Sequence, residues 1–176
     1  MWSKKNLCYN CAKGGKAMTI AIYAGSFDPF TNGHLDILKN SAEIFDKVIV
    51  AVSFNIQKRG FLPLDTRKTL ILESIKNIPN VEVDTYEGLT VNYAKKRGAS
   101  VLIRGLRNSA DFEYEMQLAQ TNNSLNNEIK TMFLLAKPEY SFISSSGVRE
   151  ILQNNGDVTK FVPKPVAKYL INNYGI

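Results

Sequence analysis

The chain has 176 residues, 44% of them hydrophobic and 22% charged, which suits one soluble globular domain with a core of its own. No apolar run approaches the roughly 20 residues of a membrane-spanning helix, so no membrane is expected as a partner. The formal charge of +6 falls to +2 once residues 1–17 are set apart, and with no basic–aromatic stripe no nucleic acid is expected either.

The first 17 residues, MWSKKNLCYNCAKGGKA, carry Lys4, Lys5, Lys13 and Lys16 and no acid, and Met18 follows them directly. They lack an apolar core of signal-peptide length. They are expected to be a cloning remnant or an upstream extension, disordered or outside the core. Cys8 and Cys11 form a C-x-x-C pair, but no second pair or Cys–His partner exists to complete a four-ligand zinc site. Residues 18–176 contain no cysteine, so the fold needs no disulfide and a reducing cytoplasm is the expected location.

Along the chain, short β-branched runs alternate with longer amphipathic stretches. TIAIYAG (19–25) predicts a strand, and GHLDILKNSAEIFDK (33–47) a helix with Leu35, Leu38, Ala42 and Phe45 on one face. VIVAVS (48–53) is continuously apolar, as in a strand covered on both faces. A helix is predicted over 64–78, with Asp65 as its N-cap and Pro79 as its stop. VEVDTY (81–86) alternates as a strand with Glu82 and Asp84 on a solvated face; Glu73, on the preceding helix, is also read as solvated. TVNYAKKRG (90–98) is a short helix closed by Gly98, and SVLIRG (100–105) is another buried strand. A helix over 111–127 has acids in its first turn, which suits its dipole. TMFLLA (131–136) is a fifth strand, and helices follow over 144–155 and 164–174. Five strands alternating with helices predict an α/β fold: a Rossmann-like, doubly wound, five-stranded parallel sheet with helices on both faces and C-terminal helices.

Ligands of such sheets lie at the carboxyl ends of the strands, and the unusual residues of this chain gather there. Neither G-x-G-x-x-G after the first strand nor G-x-x-x-x-G-K-[ST] is present, so a dinucleotide cradle and a P-loop are both unsupported. Instead the first strand runs through Gly25-Ser26-Phe27-Asp28-Pro29 into Thr31-Asn32-Gly33-His34, the only histidine. A helix N-terminus directs free N–H groups at an anion, and an imidazole beside it can donate a hydrogen bond to a phosphate oxygen. The plainer reading is that Asn32 caps the helix and His34 is an ordinary first-turn residue. RGLR sets Arg104 and Arg107 around a short turn, where two guanidiniums suit a polyphosphate or pair with Asp111, Glu113 and Glu115 on the next helix. SFISSSGVR offers three successive serines before a helix, of which capping explains one, with Arg149 a turn later. Lys58 adds a cation after the second strand. Asp28 and Glu115 could hold a metal or a ribose hydroxyl, or serve in ordinary ion pairs.

The segments GSFDPFTNGH, LIRGLRNSADFEYEMQLA and SFISSSGVR together resemble those of bacterial phosphopantetheine adenylyltransferases, within the nucleotidylyltransferases that carry a [TH]-x-G-H motif. The resemblance spans 18–176 and makes it a single nucleotidylyltransferase domain. It implies adenylyl transfer from ATP to 4'-phosphopantetheine with Mg2+, giving dephospho-coenzyme A and pyrophosphate by direct in-line attack, in a homohexamer. It further implies that His34, Lys58 and Arg104 are catalytic. Ser26, Phe27, His34, Gly105, Leu106, Arg107, Glu115 and the run Tyr140, Ser141, Phe142, Ile143, Ser144, Ser145 and Ser146 would contact ATP. Ser26, Lys58, Thr90 and Arg104 would contact the acceptor. Ser26 stands where relatives have threonine, which keeps the hydroxyl, and Tyr140 stands where some have tryptophan. Magnesium ligands do not follow from the sequence.

Overall fold

A computed structural model describes residues 18–53 and 60–175. The expectations for residues 1–17, including Cys8 and Cys11, and for Lys58 fall outside the described residues. The strands are β1 (Ile20–Gly25), β2 (Lys47–Ser53), β3 (Val81–Tyr86), β4 (Val101–Leu106) and β5 (Lys130–Leu135). The helices are α1 (Asn32–Ile44), α2 (Leu64–Ser74), α3 (Thr90–Lys96), α4 (Ser109–Leu125), α5 (Ser145–Gln153) and α6 (Lys164–Tyr174), with one 3₁₀ turn at Pro138–Tyr140.

All four strand pairings are parallel, in the order β3-β2-β1-β4-β5. Strand alternation feeds two cores. Ala21, Tyr23, Val48, Val50, Val52 and Ile103 point to one face, against α1, α2, α5 and α6. Ile22, Ala24, Ile49, Ala51 and Leu102 point to the other, where α3 contributes Val91 and Ala94. β1 and β2 are therefore apolar on both sides, which is why their sequences read as continuous runs. Each fully buried valine, leucine or isoleucine contributes roughly 1.5–3 kcal/mol of transfer free energy, so these two central strands anchor the molecule.

Several local expectations shift. The cap of α1 is Thr31, whose hydroxyl accepts from the His34 amide, while the Asn32 side chain donates to Lys160 O at 3.0 Å. Pro63, not Asp65, precedes α2, and no side chain caps it; Asp65 lies in the first turn. The helix predicted over 33–47 ends at Ile44, and Phe45 is its C-cap. Glu82 and Asp84 are not simply solvated, because Arg97 at the end of α3 pairs with both and Lys47 pairs with Glu82. That cluster ties α3 to the edge strand β3.

The sheet order reverses between β1 and β4, the two strands that flank the topological switch point. The crevice beyond their carboxyl ends is where the fold can hold a ligand.

Candidate active site

A cavity of about 410 Å³ opens at that switch point. Ser26 and Phe27 from the β1–α1 loop, Gly33 and His34 from α1, and Arg104 and Gly105 from β4 line it. Arg107, Glu115 of α4, Ile143 and the serines Ser144, Ser145 and Ser146 complete much of the wall. Five separate strand-end or helix-start segments therefore converge on one space.

His34 is the third residue of α1, and its ring is fixed by the start of that helix. The Thr31 amide donates to Nδ1 at 3.1 Å while Thr31 Oγ1 accepts from the His34 amide, a reciprocal capping box. With Nδ1 an acceptor, the ring proton belongs on Nε2. Phe30 stacks on the ring and Phe27 meets it edge-on, with centroids 5.6 and 5.1 Å away. Burial, followed by the nearby charges of Arg107 and Arg104, lowers the imidazole pKa to about 4. His34 is consequently a neutral donor at neutral pH rather than a cation or a poised base.

Arg104 lies within β4, not in a turn, because the β4–β5 pairing continues to Leu106 and Leu135. Its Nε and Nη2 donate to both oxygens of Glu115 at 2.5 Å, and its Nη1 donates to Ala24 O at 2.9 Å. Arg107 lies just past the strand and is held by Asp111 through Nε and Nη2 at 2.8 and 2.9 Å. Its guanidinium holds the Asp111 carboxyl below the usual carboxylate range. Asp111 and Glu115 are four apart on α4, so one helix face presents a carboxylate to each arginine. Both readings of the arginines, as cavity cations and as partners of α4, hold together.

The serine run divides its work. Ser144 is the N-cap of α5, accepting from the Gly147 amide at 2.9 Å. Ser145 Oγ donates to Pro29 O at 2.8 Å, and the Ser146 hydroxyl lies 3.1 Å from that of Ser144. Only one of the three is spent on capping, and all three line the cavity.

Other candidates stand apart. Thr90 begins α3 and shares a hydrogen bond of 2.8 Å with the Tyr86 hydroxyl, but it is outside the cavity wall. Leu106 is buried at the end of β4, and Tyr140, Ser141 and Phe142 lie beyond the wall, with Phe142 largely exposed. The Tyr140 carbonyl would sit 3.6 Å from a Cβ on Gly33, so this segment approaches the start of α1. Asp28 does not face the cavity; its carboxylate accepts from the Phe61 and Leu62 amides at 2.7 and 2.8 Å, which removes it as a metal or ribose ligand. Among the described residues no group of three or more His, Cys, Asp and Glu side chains could hold a metal ion.

Sequence reasoning missed Tyr23 and Asp111 as wall residues, and treated Thr31 only as part of a motif. Tyr23 hides inside the apolar run of β1, and only alternation across the strand turns it to the cavity side. Gly25 has a reason of its own: a Cβ there would meet the Phe27 ring at 3.0–3.3 Å.

A cytidylyltransferase-like family profile matches residues 22–151, from β1 into α5. The phosphopantetheine adenylyltransferase of Caldanaerobacter subterraneus is 50% identical over 157 residues, which cover 89% of this chain and 98% of that protein. That of Crocosphaera subtropica is also 50% identical, over 88% of this chain and 99% of its own. The chain belongs to the phosphopantetheine adenylyltransferase family. At the level of fold alone, the Plasmodium falciparum nicotinic acid mononucleotide adenylyltransferase superimposes with a TM-score of 0.66 at 18% identity, over 90% of this chain and 97% of its own. The sheet is thus shared well beyond the phosphopantetheine adenylyltransferase family, and the acceptor must be argued from the site.

Proposed function

We propose that the protein transfers the adenylyl group of ATP to 4'-phosphopantetheine, giving dephospho-coenzyme A and pyrophosphate in coenzyme A biosynthesis. A phosphate oxygen of the acceptor attacks the α-phosphorus in line. The bond from that phosphorus to the α–β bridging oxygen breaks, and pyrophosphate leaves with its electron pair. The observation that carries this reading is the convergence of His34, Arg104, Arg107 and Ser144–Ser146 on one cavity at the switch point.

Each group has a task that follows from its chemistry. Neutral His34 donates a hydrogen bond from Nε2–H to the charge that develops on the α-phosphate, and its low pKa keeps it from acting as a base instead. Arg107 and the serine run bind the nucleotide phosphates, with Ser26, Phe27, Gly105 and Leu106 beside them. Tyr140, Ser141, Phe142 and Ile143, beside the start of α1, border the nucleotide. Arg104 and Lys58 hold the acceptor phosphate, and Thr90 borders the pantetheine arm. Glu115 acts mainly through Arg104, to which it is bonded twice. Direct transfer requires orientation and charge stabilisation and no protein nucleophile.

Magnesium enters as part of the substrate, bound to the triphosphate. Asp111 and Glu115, the carboxylates on the cavity wall, are each occupied by an arginine, and magnesium in such sites is commonly held through substrate phosphates. We also place the reaction in the cytoplasm, on the cysteine-free sequence from 18 onward. A homohexamer is proposed on family membership together with the apolar side chains that α4 and β5 leave exposed.

The test is an acceptor panel with purified protein, ATP and magnesium. Pyrophosphate release with 4'-phosphopantetheine, and not with nicotinamide mononucleotide or glycerol 3-phosphate, is the expected result. Release with nicotinamide mononucleotide alone would overturn the acceptor assignment.

A further inference from the structure

The end of β1 and the loop that follows it have four carbonyls taken by side chains from three other elements. Ala24 O accepts from Arg104, Ser26 O from Arg67 Nη1 at 2.8 Å, Asp28 O from Arg149 Nη1 at 2.6 Å, and Pro29 O from Ser145. Between the second and third of these contacts sits Phe27 at φ 47°, in the left-handed region that a bulky residue rarely adopts. A loop held in that conformation needs its surroundings to hold it.

Arg67 is the unexpected member of this set. On α2 it shares a face with Leu70 and Ile71, and all three are buried. An apolar residue would satisfy that position. Instead there is a guanidinium that flanks Gly60 together with the buried Asp28 carboxylate but forms no ion pair with it, and its Nε is buried without a hydrogen bond among the described residues. Burying a guanidinium with an orphaned donor opposes folding, and a methionine of similar length would avoid that cost. Among the described residues its guanidinium makes one hydrogen bond, to the carbonyl of Ser26, whose residue lines the cavity while Arg67 does not. Its Nη2 lies against Gly60, where a Cβ would come within 3.2 Å, so the head group has little freedom to point elsewhere.

We propose that Arg67 is a positioning residue for adenylyl transfer: it holds the Ser26 carbonyl so that Ser26 and Phe27 face the reacting phosphates. This rests on the phosphoryl-site reading of the cavity given above. Arg67 does not touch substrate. Its effect is expected in turnover rather than in ATP affinity, because the nucleotide phosphates are bound mainly by Arg107 and the serine run.

The test compares Arg67→Met, Arg67→Gln and Arg67→Lys with the unaltered full chain, by steady-state kinetics in both substrates and by urea unfolding. The Met and Gln variants are expected to fold and to lose on the order of tenfold to a hundredfold in kcat, as a small misplacement of reacting groups does. Their KM for ATP should stay within about threefold, and Arg67→Lys, which keeps a donor for the carbonyl, should recover most of the loss. Met and Gln variants with near-normal kcat would overturn the proposal, as would a loss that lysine does not recover. If only the lysine variant folds, Arg67 is a folding residue and the proposal fails in that way too. Absence of transfer to phosphopantetheine in the unaltered protein would instead sink the functional reading, so the two failures are distinguishable.

Discussion

At His34, three kinds of neighbour decide the chemistry. The Thr31 amide fixes which nitrogen carries the proton, the phenylalanines pack against the ring, and Arg107 and Arg104 add to burial in disfavouring the charged form. An unfolded chain takes up a proton at an ordinary histidine near pH 6.5, whereas the folded protein resists until about pH 4. Between those values the unfolded state binds more protons, so stability falls as pH falls through this window. The contribution is at most about 1.4 kcal/mol per pH unit. His34→Ala should therefore fold, show a flatter decline in urea stability from pH 6.5 to 4, and lose roughly 10²–10³ in kcat, as removal of one oxyanion-type donor does. Turnover within a few-fold of the unaltered enzyme would reduce His34 to a capping residue.

Between sequence and structure, the elements agree most closely where a pattern depends on the chain alone. The apolar runs of β1, β2 and β4 and the alternation of β3 are local signals, and all five predicted strands lie within a residue or two of those observed. Positions settled by docking were less legible. Arg104 belongs to a strand because β5 pairs alongside it. Arg67 is buried because α2 packs beneath a loop some forty residues earlier in the chain, and no periodicity reports that. The acids of α4 were readable as first-turn charges and as ion-pair partners, but their assignment, Asp111 to Arg107 and Glu115 to Arg104, needed the helix axis relative to β4. That assignment has a kinetic consequence. Glu115→Gln weakens a bidentate, charge-assisted contact and frees Arg104 to move, so KM for 4'-phosphopantetheine should rise by on the order of tenfold with little change in KM for ATP. The reverse pattern in steady-state kinetics would mean that Glu115 contacts the nucleotide directly.

Across the whole molecule, packing is uneven. β1 and β2 are sealed on both faces, yet α4 buries none of its seventeen residues within the chain. Phe112, Tyr114, Met116 and Leu125 remain exposed on it, and Leu135 at the end of the neighbouring edge strand is 75% exposed. Clustered apolar exposure of this kind beside an unpaired strand edge is what a subunit contact covers. Sedimentation equilibrium at micromolar concentration is expected to give six times the 19.7 kDa chain mass. Tyr114→Glu combined with Leu135→Glu places charge in that contact and should yield smaller species. The wall described around His34 comes from one chain, so the dissociated variant should still bind ATP in calorimetry. A monomeric unaltered protein at that concentration would show that the exposed face of α4 serves something other than self-association.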